Sequence, residues 1–202
     1  MRSMTVLGGL AVLAFPMLSR LAMAQAPASQ PQLQSAPPSA RASATQTRLE
    51  AFRPSPGSLV TLAYDALGDI GFGRVTADVR EIRDSKGGVV RGVRVVVTEN
   101  PGRQEEAFID PDEIPELLRG IDAILRTQAN PTTFKSFELR YRTRGELEVS
   151  AYNTDAYVQY AIQVGRGTKA TALNLRTEDI AAFRAMLLRA SDRLAAASRS
   201  PR

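Results

Sequence analysis

Apolar residues along this chain recur at two spacings, and the points where the spacing changes divide it into elements. Val75, Ala77 and Val79 alternate with Arg74, Thr76, Asp78 and Arg80, the every-other-residue pattern of a strand with one face buried. Leu59–Tyr64 before it and Val89–Thr98 after it are rich in β-branched and aromatic residues, which suit a pleated surface. Asp65–Asp69, Asp84–Gly88 and Glu99–Gly102 hold the Gly, Pro, Asn and Asp that turns require. Gly92 is expected to mark a bulge in the third strand, and Gln104–Ile109 forms a fourth. The spacing then changes. Ile114, Leu117, Leu118, Ile121, Ile124 and Leu125 fall at the i, i+3, i+4, i+7 intervals of an amphipathic helix. Asp110 and Asp112 are alternative caps, and Pro115, barred from a helix interior, puts the start close by.

The same order returns in the second half. Phe134–Arg142 and Glu146–Tyr152 form a hairpin whose connection is read as a bulged three-residue loop, Thr143-Arg144-Gly145, with Gly145 left-handed. That register sets Arg142 against Glu146, Tyr141 against Leu147, Arg140 against Glu148 and Leu139 against Val149. Tyr157–Val164 and Ala170–Leu175 complete four strands. Thr177 is expected to cap a last helix that buries Ile180, Phe183, Leu187, Ala190 and Leu194. The expected fold class is α+β: two ββββα repeats, an antiparallel sheet packed against two amphipathic helices.

The two strand-into-helix passages, FIDPDEIPELL and LNLRTEDIAAF, answer each other position by position: Ile109 to Leu175, Ile114 to Ile180, Leu117 to Phe183. In layout, over roughly residues 57–197, this resembles the duplicated ββββα units of the PUR-alpha and Whirly nucleic-acid-binding proteins. The resemblance implies nucleic-acid binding on a basic, aromatic sheet face. Here the best basic stripe, Arg140 and Arg142, is matched by Glu148 and Glu146. Otherwise the chain has the look of a small exported bacterial domain.

The ends supply the address and most of the charge. Met1–Ala24 carries Arg2, an apolar run from Met4 to Leu18 and the triplet Ala22-Met23-Ala24, the three regions of a signal peptide cleaved after Ala24, with an uncleaved membrane anchor as the alternative. Residues 25–56, rich in Ala, Pro, Gln and Ser, are expected to be a disordered linker, with a weak helical turn at Arg48–Phe52. The domain is expected over 57–197 and a disordered tail over 198–202. The whole chain is at +5 with a pI near 10. Residues 57–197 hold 19 Lys and Arg against 20 Asp and Glu, a net of −1. A phosphate-gripping domain needs a concentrated basic face, so the basic pI belongs to the tails.

With 0 Cys and 0 His, thiol nucleophiles, disulfides and the commonest general base are excluded. Three groups remain. The acidic set Glu105, Glu106, Asp110, Asp112 and Glu113 could hold a hard cation or pair carboxylates, or serve as helix-start chemistry. Arg140 and Arg142 with Glu146 and Glu148 read as cross-strand ion pairs or an anion site. Tyr141, Tyr152, Tyr157 and Tyr160 could stack against a ligand or pack in the core. Ser85-Lys86 and Lys135-Ser136 offer Ser–Lys pairs without an implied pocket, and Gly165-Arg166-Gly167 is a turn, not a phosphate loop.

The expectation is a periplasmic or secreted, non-catalytic interaction module with no cofactor, metal or catalytic residue assigned. It has no transmembrane span once the leader is removed. Its partner is expected to be a protein or envelope component met at a sheet edge or face, and edge strands leave room for a homodimer. A PUR/Whirly-like nucleic-acid binder and a carboxylate-based hydrolase are the alternatives.

Overall fold

A computed structural model describes residues 46–127, 131–154 and 157–199. The expected leader and linker as far as residue 45 lie outside the described residues, as do the end of the tail and part of the break after the first amphipathic stripe. The protein is α+β, with two antiparallel four-stranded sheets and three helices. A short helix α1 (Arg48–Ala51) precedes β1 (Val60–Ile70), β2 (Val75–Asp84), β3 (Val89–Asn100) and β4 (Arg103–Ile109), which pair in chain order as the first sheet. Helix α2 (Ile114–Leu125) leads to β5 (Glu138–Arg142), β6 (Leu147–Thr154), β7 (Tyr157–Val164) and β8 (Thr171–Leu175), the second sheet, again in chain order, and then to α3 (Thr177–Arg199). No helix among the described residues is long and apolar enough to cross a membrane.

In the first sheet Val75, Ala77 and Val79 face Val97, Val95 and Val93, so the alternation places one apolar row inward as expected. Two details differ. Asp65–Asp69 is not a turn: a bulge between Ala66 and Gly68 lets β1 run on to Ile70, burying Leu67 and Ile70. The reversal comes at Gly71-Phe72-Gly73, all at positive φ. Gly92 is not a bulge either, since Arg80 and Gly92 pair in unbroken register. A Cβ there would stand 2.7 Å from Leu49 Cδ1 and 2.8 Å from the Ile109 carbonyl oxygen, so glycine makes room for α1.

That contact comes from residues before the expected boundary at 57. Thr47 and Glu50 close a capping box around α1, and Leu49 is buried on the sheet. Asp110 accepts the Arg48 backbone N–H at 2.9 and 3.2 Å. Residues 47–51 pack on the first sheet, where one leucine over a glycine contributes about 1.5–3 kcal/mol of burial.

Helix α2 starts beside Pro115 as expected, but its cap is Glu113, with no side-chain cap bond, so neither Asp110 nor Asp112 caps it. The β5–β6 hairpin keeps the bulged three-residue loop but slides it by one position. Thr143 accepts the Glu146 N–H and donates its own to Leu147, the loop is Arg144-Gly145-Glu146, and Glu146 takes the positive φ of 65°. Arg142 therefore faces Glu148, Tyr141 faces Val149 and Arg140 faces Ser150. The shift is even, so every side chain keeps its expected face. Gly145 serves another purpose: a Cβ there would lie 2.0 Å from the Phe108 carbonyl oxygen. Strand β5 is also shorter than the expected Phe134–Arg142. The Asn153 side chain accepts the Phe137 N–H at 2.9 Å and donates to the Lys135 carbonyl at 2.7 Å, replacing ladder bonds there.

Both sheets and the two long helices contribute to one contiguous apolar core, which includes Val95, Ile109, Leu117, Ile121, Val149, Ile162, Phe183 and Leu187. The helices cross between halves. Helix α2 lies against β5 and β6, whereas α3 lies against β1, β2 and β3. Arg184 of α3 joins Asp122 of α2 at 2.6 and 3.0 Å.

Candidate functional site

The acidic group separates in the fold. Glu106 points to the outer face of the first sheet and pairs with Arg94 at 3.2 Å, and Glu105 is exposed opposite Val97. Asp110, Asp112 and Glu113 converge on two arginines. The Arg144 guanidinium lies 3.4 Å from Asp110, 2.8 Å from Asp112 and 3.3 Å from Glu113, and Arg48 reaches Asp112 at 3.0 Å. Glu113 also accepts the Arg144 backbone N–H at 2.8 Å. These bonds fasten α1, the β4–α2 junction and the β5–β6 hairpin to one another. Burial pushes the fully enclosed Asp110 carboxyl above its ordinary range, against the Arg48 N–H and the arginine charges. Asp112 is held below its ordinary value: slight burial opposes this, but its own backbone N–H and Arg144 outweigh it. Among the described residues no group of three or more acidic side chains could hold a metal ion.

The outer sheet faces carry ion pairs. In the first sheet Asp78 joins Arg80 at 2.7 Å and Arg94 at 2.9 Å. On the opposite face, beyond the core, Glu81 joins Arg91 at 2.6 Å and Arg83 at 3.1 Å. In the second sheet Glu148 takes Arg142 at 2.6 Å, and Arg140 reaches Glu138. Glu146 binds Arg166 and lies 3.3 Å from Arg142. The outer-face arginines Arg80, Arg94, Arg140 and Arg142 are thus matched by carboxylates, of which Asp78 and Glu148 are themselves buried.

The tyrosines do not form a groove. Tyr141 packs toward the core over Gly120, Tyr160 is buried, and Tyr157 is exposed. Tyr152 lies on the outer face, its hydroxyl 3.0 Å from both Gln159 and Asn174. Ser85 and Lys86 hold the chain before β1: Ser85 Oγ accepts the Leu59 N–H, and Lys86 Nζ donates to the Pro56 carbonyl at 2.6 Å. An open depression of about 370 Å³ lies where β7 and β8 meet the start of α3, beside Tyr160, Asn174, Arg176 and Glu178. Its charged members are occupied with one another, Arg176 pairing with Glu178 at 3.0 Å and with Asp179 at 3.1 Å.

Among the described residues, the feature left without a structural partner is the edge of β1. Eight consecutive residues, 59–66, are exposed on both faces of the strand. Leu59 sends its N–H and carbonyl toward Ser85, at the β2 side, so Thr61, Ala63 and Asp65 do the same by alternation. Val60, Leu62 and Tyr64 therefore turn their N–H and carbonyl groups outward. Their side chains share one face, with Ile82 and Val90 half-buried beside Leu62. The far end of the edge is closed by α3. Arg193 donates to the Ala66 carbonyl at 3.2 Å and Arg189 to the Leu67 carbonyl at 3.1 Å. The other edges differ: β4 carries Arg103, Glu105 and Glu106, β5 carries Glu138, Arg140 and Arg142, and β8 is five residues long with Thr171 and Leu173 buried.

The alternation of Val60, Leu62 and Tyr64 in a run without charge from Ser58 to Tyr64 was the available signal for this edge. No protein-family model matches the chain, and no characterised protein matches it.

Proposed function

We propose that this chain is an exported, non-catalytic interaction module, and that it works by accepting an extended protein segment along the open edge of β1. The observation that carries the proposal is the edge itself: outward backbone groups at Val60, Leu62 and Tyr64 beside large apolar side chains that are 49%, 51% and 72% exposed. Main-chain bonds supply affinity in such strand addition, and alternate side chains supply selectivity. Natural edges are normally blunted by charge, proline or a covering element, and only the end of this one is. The non-catalytic part is supported by the acidic and arginine groups, which hold elements together. We take the layout as a duplicated ββββα unit in which the two amphipathic helices cover the sheets. The leader directs it to the periplasm or beyond, and export is tested by the mass of the mature chain, which should begin at Gln25.

The test of the edge is a photocross-linking residue at Leu62 in cells that export the protein, with a second at Arg140 on the outer face of the other sheet. Discrete adducts should form at position 62 and not at 140. Proline at Tyr64 should abolish them, because it removes an outward donor while leaving the β1–β2 bonds in place. Equal capture at the two positions, or capture insensitive to that proline, would refute the proposal.

A further inference from the structure

We infer that the occupant of the β1 edge is a second copy of this chain, paired antiparallel about a twofold axis through Leu62. This rests on the edge being a recognition surface and adds the identity of the partner. The open window runs from Ser58, just after the Ser55–Ser58 turn, to Ala66, whose carbonyl Arg193 occupies. Its midpoint is Leu62. A strand centred there opposes Leu62 to Leu62, Val60 to Tyr64, Thr61 to Ala63, and Asp65 to Leu59 of the second copy.

Three properties select this register. The outward residues Val60, Leu62 and Tyr64 meet one another, so each of three pairs exchanges two N–H···O bonds. A shift by two residues loses a pair at one end, or sets an outward group against the Ala66 carbonyl that Arg193 already holds. The side chains of those pairs lie on one face, joining the Leu62, Ile82 and Val90 patches of both copies into one apolar band with two Tyr–Val cross-strand pairs. No like charges are opposed, because Ser58–Tyr64 has none and Asp65 meets leucine. The strand is thus its own complement, the condition for an isologous interface.

Sedimentation of the full chain should give a dimer that Leu62→Lys converts to monomer, because two lysines then meet at the axis. Leu62 is 51% exposed, so the variant should keep the wild-type melting temperature. The chain has 0 Cys, which makes introduced cysteines unique. A mixture of Thr61→Cys and Ala63→Cys chains should form a disulfide-linked dimer under mild oxidation, whereas each alone should not, since like positions are diagonal across the axis. A wild-type monomer throughout the micromolar range overturns the inference, as does a dimer that survives Leu62→Lys or lacks the mixed disulfide. Adducts at position 62 with a mass other than twice that of the chain would also overturn it while sustaining the edge as a recognition surface. An absence of adducts removes both.

Discussion

Gly145 is the most exacting position in the hairpin that joins the two halves, and its replacement by alanine has a calculable consequence. The new Cβ would lie 2.0 Å from the Phe108 carbonyl oxygen, and 3.0 and 3.1 Å from the Phe108 carbonyl carbon and nitrogen. Both neighbours are backbone, so the hairpin must retreat from β4 by more than about 1 Å to restore van der Waals contact. That movement strains the Arg144 N–H bond to Glu113, now 2.8 Å, and the Arg144 contacts with Asp112 and Asp110. A hydrogen bond to a charged group is worth about 1.5–3 kcal/mol, and overpacking adds about 1–3 kcal/mol. The expected loss is roughly 3 kcal/mol, or roughly 6–12 °C in melting temperature for a domain of this size. Thermal unfolding followed by circular dichroism measures it. Gly145→Asn provides the discriminating control. Asparagine tolerates a left-handed backbone, so it would be milder than alanine if glycine were needed for its φ. Crowding makes it at least as harmful. An asparagine variant more stable than the alanine variant, or an alanine cost below about 1 kcal/mol, would refute the reasoning.

Three further outcomes follow from the same contacts. Leu49→Ala should cost about 2 kcal/mol, a loss seen in urea unfolding only if residues 47–51 belong to the domain. Because α2 and α3 lie on the strands of the opposite half, residues 46–127 expressed alone should show no cooperative unfolding transition. Acid should destabilise the fold below the ordinary aspartate value of 3.8: Arg184 lowers Asp122, Arg176 lowers Asp179, and the Gly88 N–H lowers Asp84. Their contribution is present above that value and is lost as pH falls through the lowered folded values. Asp110, raised by burial, acts in the opposite sense, its contribution being complete at low pH and lost as pH rises, so Asp122→Asn should flatten the acid limb of a stability–pH curve and Asp110→Asn should not.

Much of this architecture is legible in the sequence because it depends on local periodicity. The eight strands and two long helices follow from alternation and from the stripes through Ile114–Leu125 and Ile180–Leu194. Several features that differ from the pattern depend on residues far apart in the chain. Gly92 and Gly145 look like a bulge and a left-handed turn, yet their neighbours are Leu49 and Phe108, brought there by tertiary packing. Asp110 and Asp112 look like helix caps, but Arg48 and Arg144 claim both of them. The exchange of helices between halves leaves no trace in either stripe, since an apolar face does not specify which sheet it covers. The β1 edge was readable in outline as a strand, but its openness depends on where Arg189 and Arg193 of α3 stop.

The most direct measurement is residue-resolved amide hydrogen exchange along Leu59–Ala66. The dilute chain alone would be compared with the chain in the complex it enters in exporting cells. In the dilute chain Thr61, Ala63 and Asp65 should exchange slowly, bonded to β2, while Val60, Leu62 and Tyr64 exchange fast. In the complex those last three should become slow. If they remain fast in the complex, the β1 edge is not where this protein meets its partner.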